Sequence, residues 1–154
     1  MSVLDLPNSF KKLVYDYYRA MPKGEPPLAY TLSSLGKEDF VVNTGWLYML
    51  FTESNNCVKI GYTSENPYKR ACQIIPNAYR DLVYMLAYSS TKSARTELDL
   101  HRLLWLGGFK RKNEDLDGIP VNSGHTEIYD IPACMAAAFI EESLGTKYYA
   151  VSKG

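Results

Sequence analysis

The residue types that could carry chemistry occur in one ordered series along this chain of 154 residues. A tyrosine, Tyr48, is followed by a lysine, Lys59, with the turn-forming residues 54–56 between them. An arginine comes next at Arg70, and then a carboxylate at Glu97. If the fold brings these side chains together, a phenol, two cations and a carboxylate suit the cleavage of a phosphodiester bond with one metal ion.

Glu97 belongs to the stretch 92–106, whose spacing predicts a helix. Projected around that helix, Glu97 and His101 lie one turn apart, inside the apolar stripe. The stripe consists of Ala94, Leu98, Leu104 and Trp105. A carboxylate on a core-facing stripe is costly unless a cation, a donor or a metal meets it. The stripe therefore indicates a functional carboxylate, and the alternative is a structural ion pair, for example with Arg70.

Each of the other side chains also has an ordinary structural explanation. Tyr48 would suit a core position, and Lys59 an edge strand that a charge protects from aggregation. Arg70 could form a surface salt bridge, and His101 a hydrogen bond within the core. Tyr62 and His101 are alternative carriers of the proton in hydrolysis. The common order of these residues, more than any one of them, favours a site.

Local patterns predict the elements that would position these residues. The predicted strands are 45–52, 57–63, 81–89 and a short edge strand at 126–131, and the predicted helices are 8–21, 66–75, 92–106 and 132–144. The first two strands are expected to pair as an antiparallel hairpin, in which Gly61 would let another group approach closely. Asn66 and Pro67 form a typical helix start. Residues 110–124 are predicted to form a polar loop.

Composition and length predict one α+β domain with an appendage. A hydrophobic content of 46% is enough for a core. Residues 1–44 are interpreted as an N-terminal helix and linker, 45–131 as the main domain, and 132–154 as a C-terminal helix and tail packed on it. The N-terminal helix would offer a surface to a protein partner or a second copy of the chain.

The sequence also favours an intracellular, cytoplasmic protein. Its three cysteines lack the spacing of a zinc site and are expected to be free or buried thiols in a reducing compartment. No signal peptide is apparent at the N-terminus, and no apolar run approaches the roughly 18 residues of a membrane span. We therefore expect no membrane partner.

Charge is balanced over the chain but unevenly distributed along it. The formal net charge is zero, yet residues 69–112 contain nine lysines and arginines against three acidic residues. A basic face can bind phosphates even on a neutral protein. The candidate nucleic-acid contacts are Lys69, Arg95, Arg102, Lys110, Arg111 and Lys112. The alternative is an ordinary solvated surface.

The order of these motifs resembles that of the GIY-YIG nuclease superfamily, and most closely its T5orf172-type subgroup. The matching segments are 45–50 (Gly-Trp-Leu-Tyr-Met-Leu), 58–63 (Val-Lys-Ile-Gly-Tyr-Thr), 66–70 (Asn-Pro-Tyr-Lys-Arg), 97–101 (Glu-Leu-Asp-Leu-His) and 127–129 (Glu-Ile-Tyr). The resemblance covers residues 45–131. It has no counterpart for the N-terminal region or the last helix.

The resemblance implies a small three-stranded antiparallel sheet flanked by helices, with one divalent ion, Mg²⁺ or Mn²⁺, held by Glu97. It implies an endonuclease in which Tyr48 and Lys59 activate water and Arg70 contacts the phosphate. Lys59 stands where the superfamily usually has a tyrosine, although lysine is usual in the subgroup. The implied partner is nucleic acid, foremost DNA. The alternative is a protein that keeps the fold without the chemistry and binds nucleic acid or another partner, for example a phage accessory factor.

Overall fold

The computed structural model describes residues 30–41, 44–106, 108–111, 115–122 and 127–144. Its strands are β1 (Tyr30–Thr31), β2 (Trp46–Thr52), β3 (Val58–Thr63), β4 (Val83–Ser89), β5 (Asp115–Leu116), β6 (Ile119–Pro120) and β7 (Ile128–Tyr129). Its helices are α1 (Pro67–Ile74), α2 (Ser93–Leu106) and α3 (Ala133–Leu144), with 3₁₀ turns at Leu32–Ser34, Lys37–Asp39 and Asn77–Tyr79. The predicted helix 8–21 and the tail 145–154 lie outside the described residues.

Five of these strands form one antiparallel sheet in the order β1-β4-β2-β3-β7. This confirms the predicted α+β class. The three long predicted strands form the centre of the sheet. The sheet has five strands instead of three because a two-residue strand is added at each edge, β1 beside β4 and β7 beside β3.

The stretch 110–124, predicted to be a loop, contains the small hairpin β5–β6. Asp117 and Gly118 connect its strands with φ values of 53° and 88°. Positive φ at both central residues is typical of tight hairpin turns. The Asp-Gly pair was the available sequence signal, and the polar character of the surrounding stretch obscured it.

Helices cover both faces of the sheet because its central strands are apolar on both sides. Helices α2 and α3 pack on one face, against Leu47, Met49 and Ile60. Helix α1 packs on the other, against Tyr48 and Leu50. All seven residues of β2 are buried. A strand covered on both faces holds its side chains in fixed positions, which suits the placement of a site.

Helix α1 begins as its sequence predicts. The Asn66 side chain accepts hydrogen bonds from the backbone N–H groups of Tyr68 (3.0 Å) and Lys69 (3.3 Å), and Pro67 occupies the first helical position. These bonds satisfy N–H groups that have no partner within the helix. The cap therefore fixes where α1 starts and how Arg70, one turn later, is presented.

Helix α2 faces the core with a different side from the one predicted. Ala94, Leu98 and Trp105 are exposed. The buried positions are Ser93, Thr96, Leu100 and Leu104. Small hydroxyl side chains can be buried here because they let the helix approach the sheet closely. The Ser93 hydroxyl also donates to the backbone carbonyl of Tyr88 at 3.1 Å, which compensates its burial.

Candidate active site

Tyr48 and Gly61 form the floor of the candidate site. They are paired residues on the neighbouring strands β2 and β3. The Tyr48 ring lies over Gly61, where a Cβ would be only 2.5 Å from the ring carbon Cζ. Glycine is therefore required at this position, as close approach to a strand predicts. The Tyr48 hydroxyl therefore lies over Gly61 of the neighbouring strand β3.

Lys59 lies two residues before Gly61 on the same face of β3 and is completely buried. Its Nζ donates to Oε2 of Glu127 at 2.5 Å and lies 5.7 Å from the centre of the Tyr48 ring. Burial lowers the pKa of Lys59, and the Glu127 carboxylate opposes that shift. Lys59 is thus a buried amine with a carboxylate partner rather than the exposed edge lysine of the ordinary explanation.

Arg70 brings a second cation to this group from α1. Burial raises the pKa of Tyr48 to about 12, and the Arg70 guanidinium, which neighbours the hydroxyl, opposes the rise. Arg70 also donates to Oε1 of Gln73 at 3.1 Å. The Tyr48 hydroxyl is therefore protonated at neutral pH, so it can donate one hydrogen bond to an acceptor in the site.

Glu97 and His101 reach the same place from α2. Oε1 of Glu97 lies 2.6 Å from Nε2 of His101, one helical turn away. Nε2 is buried and has this carboxylate contact, but no hydrogen-bond partner among the described residues. The other ring nitrogen, Nδ1, lies 2.6 Å from the Tyr129 hydroxyl. Tyr129 therefore fixes the orientation of the imidazole ring.

Glu127 completes a set of three potential metal ligands. One ligand atom each from Glu97, His101 and Glu127 lies within 4.8 Å of the others. Two carboxylates and an imidazole nitrogen that lacks a hydrogen-bond partner form a donor set that fits a divalent ion. The sequence named one candidate metal ligand, Glu97. In the structure, His101 and Glu127 lie close enough to be candidate ligands as well.

The structure brings together Tyr48, Lys59, Arg70, Glu97 and His101, but not Tyr62. The Tyr62 ring lies against Gly45, on the opposite face of β3 from Lys59 and Gly61. Side chains alternate along a strand, so Tyr62 and Lys59 cannot share one face.

The basic residues predicted to contact nucleic acid have different surroundings. Lys69 and Arg102 are exposed, and Arg95 is exposed and paired with Asp99 at 3.3 Å. The side chain of Lys110 donates to the carbonyl of its neighbour at 2.9 Å. Arg111 is held by three carboxylates, those of Asp115, Asp117 and Asp130, each at 3.4 Å. This pairing makes Arg111 a structural residue that ties β7 to the small hairpin. Lys112 lies outside the described residues.

Two residues of the site, Glu127 and Tyr129, received no role from the sequence, although both stand in the fifth matching segment, 127–129. Their spacing of two residues, on either side of Ile128, was the available signal because alternate residues of a strand share one face.

No protein-family model, curated protein or solved structure matches this chain. Among the described residues, no helix is long and apolar enough to cross a bilayer. What the site can do is therefore inferred from its own geometry and chemistry.

Proposed function

We propose that this chain is a metal-dependent endonuclease of the GIY-YIG type that hydrolyses phosphodiester bonds, with DNA as its main substrate. The single observation that carries the proposal is the convergence of a phenol, two cations and a carboxylate–imidazole group at one edge of the sheet. These groups come from distant parts of the chain. Phosphodiester hydrolysis needs such a set, because a water must be positioned and negative charge must be stabilised.

Arg70 is the residue proposed to bind the phosphate. A guanidinium offers two parallel N–H donors that match two non-bridging oxygens. Arg70 is only partly buried, so a phosphate can reach it from solvent. Its charge would stabilise the extra negative charge of the transition state.

Tyr48 and Lys59 are proposed to manage the attacking water. Tyr48 would accept the proton of the attacking water in its phenolate form, while the resulting hydroxide adds to the phosphorus atom. The positive charges of Arg70 at the hydroxyl and of Lys59 beside the ring would favour that phenolate. The sequence-based alternative, His101 as proton carrier, is not retained, because its Nδ1 meets the Tyr129 hydroxyl and its Nε2 is assigned to the ion.

Glu97, His101 and Glu127 are the residues proposed to hold the divalent ion, Mg²⁺ or Mn²⁺. When bound, such an ion supplies Lewis-acid chemistry to a phosphate oxygen. Tyr129 would keep the His101 ring oriented with Nε2 toward the ion.

The test is incubation of the purified protein with supercoiled plasmid, single-stranded DNA and RNA, each with Mg²⁺, with Mn²⁺ or with a chelator. Cleavage is expected only with a metal, and Glu97→Gln and Arg70→Ala should each abolish it. Asp99→Asn is the matched control, because Asp99 is an exposed carboxylate on the same helix and its surface ion pair contributes little to stability. Cleavage by both site variants at the parent rate would refute the proposal.

The second candidate is a binding protein with this fold and no turnover. One observation favours it, the raised pKa of Tyr48, because a protonated phenol is a poor base at neutral pH. Such a protein would bind nucleic acid with the same affinity in the presence of metal or chelator, and no product would form.

A further inference from the structure

A cavity of about 360 Å³ opens beside the candidate metal ligands. It is lined by His101, Arg102, Trp105, Leu106 and Tyr129. His101 and Tyr129 also belong to the candidate active site, so the cavity and that site share a wall. The volume falls within the roughly 300–1,000 Å³ of sites that hold small molecules.

The exposure of Trp105 is unusual for its residue type. The side chain is 55% exposed, and its neighbour Leu106 is 44% exposed. A large aromatic side chain that remains in contact with water is typical of a binding surface. Trp105 lies in the last turn of α2, outside the buried face formed by Ser93, Thr96, Leu100 and Leu104.

Arg102 is an uncompensated cation in the same wall. It lies three residues before Trp105, on the same side of α2. The side chain is exposed and makes no ion pair with any residue that the structure describes. Arg95, two turns earlier, is by contrast paired with Asp99. The cavity thus combines a flat aromatic surface with an available positive charge.

We propose that this cavity binds an unpaired nucleobase, which stacks on Trp105 while Arg102 contacts a flanking phosphate. The inference rests on the proposed function in one respect, since it places the scissile phosphate at the neighbouring metal ligands. In a nucleotide the base lies one sugar away from its phosphate, and His101 belongs both to the cavity wall and to the candidate metal ligands. Stacking on an aromatic ring together with a backbone cation is how proteins bind single strands without reading sequence.

The bound strand is single-stranded at this position. A base inside a duplex has both faces covered by its neighbours, so Trp105 could not stack on it without unstacking it. We therefore expect a preference for single-stranded ends, loops or flaps over an intact duplex.

The test measures binding separately from cleavage. A fluorescently labelled single-stranded DNA oligonucleotide is titrated with the full chain in the presence of a chelator, and its anisotropy is recorded. Trp105→Ala should weaken binding about tenfold and Trp105→Phe much less, because phenylalanine keeps a stacking face. Arg102→Ala should also make the affinity less sensitive to salt, because the slope of log affinity against log salt concentration should fall by the amount expected for about one phosphate contact. Leu82→Ala, which removes an exposed apolar side chain just before β4, should bind as the parent does.

An abasic oligonucleotide of the same length separates base stacking from backbone binding. It should bind the parent and Trp105→Ala with equal affinity. Two results would overturn the inference: Trp105→Ala that binds the normal oligonucleotide as tightly as the parent, or an abasic strand that binds the parent as well as the normal one. The binding assay contains a chelator, so its result does not depend on cleavage. A protein that binds the oligonucleotide in this way but cuts no substrate in the separate assay with Mg²⁺ or Mn²⁺ would refute the nuclease proposal and leave the base site standing.

Discussion

Lys59 is completely buried, whereas its partner Glu127, at 2.5 Å, keeps 37% of its side chain exposed. The two ends of this ion pair therefore differ in what they lose when the partner is removed. The buried amine has no water to replace the carboxylate, but the carboxylate can be hydrated without the amine.

This asymmetry predicts unequal effects on stability. Glu127→Gln should lower the free energy of unfolding by about 3 kcal/mol, since it leaves a buried charge without a counter-charge. Lys59→Met keeps the apolar stem and leaves an accessible carboxylate, so it should lower stability by only about 1 kcal/mol. Urea denaturation of the two variants measures both values. Equal losses, or a larger loss for Lys59→Met, would contradict the asymmetry.

The contact between Tyr48 and Gly61 predicts coupling between two substitutions. Gly61→Ala should lower stability by about 1–3 kcal/mol, because the new Cβ would overlap the Tyr48 ring. In a Tyr48→Ala background the ring is absent, so the same change at Gly61 should have little effect. A double-mutant cycle in urea therefore measures a coupling energy of about 1 kcal/mol or more. Additive effects would show that the ring does not occupy this space in solution.

The pKa of Tyr48 predicts a loss of stability at high pH. In the unfolded chain the phenol ionises near pH 10, but in the folded protein it keeps its proton until about 12. Deprotonation between these values favours the unfolded state, so the contribution of Tyr48 is complete below pH 10 and falls as the pH rises toward 12. The two-unit difference corresponds to about 3 kcal/mol.

The check is the free energy of unfolding of the parent and of Tyr48→Phe between pH 9 and 12. The parent should lose more stability over this range than the variant, which has no phenol at this position. Matching curves for the two proteins would mean that Tyr48 ionises normally in the fold.

The donor set predicts which divalent ion binds more tightly. An imidazole nitrogen is a good ligand for Mn²⁺ and the later first-row ions, whereas Mg²⁺ prefers oxygen. The chain should therefore bind Mn²⁺ more tightly than Mg²⁺, as measured by electron paramagnetic resonance of free Mn²⁺ with Mg²⁺ as competitor. His101→Ala should remove most of this preference, and Tyr129→Phe should weaken Mn²⁺ binding about tenfold by releasing the ring. A His101→Ala variant with unchanged preference would exclude His101 as a ligand.

The parts of the fold that the sequence predicts well depend on short-range signals. The long strands β2 and β4 follow from apolar runs, β3 from alternating apolar residues after a turn, and the start of α1 from Asn66 and Pro67. The short edge strand predicted at 126–131 is found as β7 at Ile128–Tyr129, beside β3. The other edge strand, β1, was not predicted, because two residues are too few for a pattern to be recognised.

The site was predictable only where each residue type was unusual for its place. Tyr48, Lys59, Arg70 and Glu97 could be selected because they stand in ordered motifs. The exposed position of Trp105 could not be foreseen, because hydrophobicity alone assigned it to the core. The role of Glu127 also could not be foreseen, since it depends on a contact with Lys59 across 68 positions of sequence.

The described residues of β7 pair with β3 only at Val58 and Lys59, so Gly61 has no described strand partner on that side. In the same register, a strand that started two residues earlier would continue alongside Gly61 and bring a further backbone next to the Tyr48 hydroxyl. A protein with the same side chains but a longer final strand would therefore have a less accessible site. Access to the site depends on where the hydrogen bonds between β3 and β7 end.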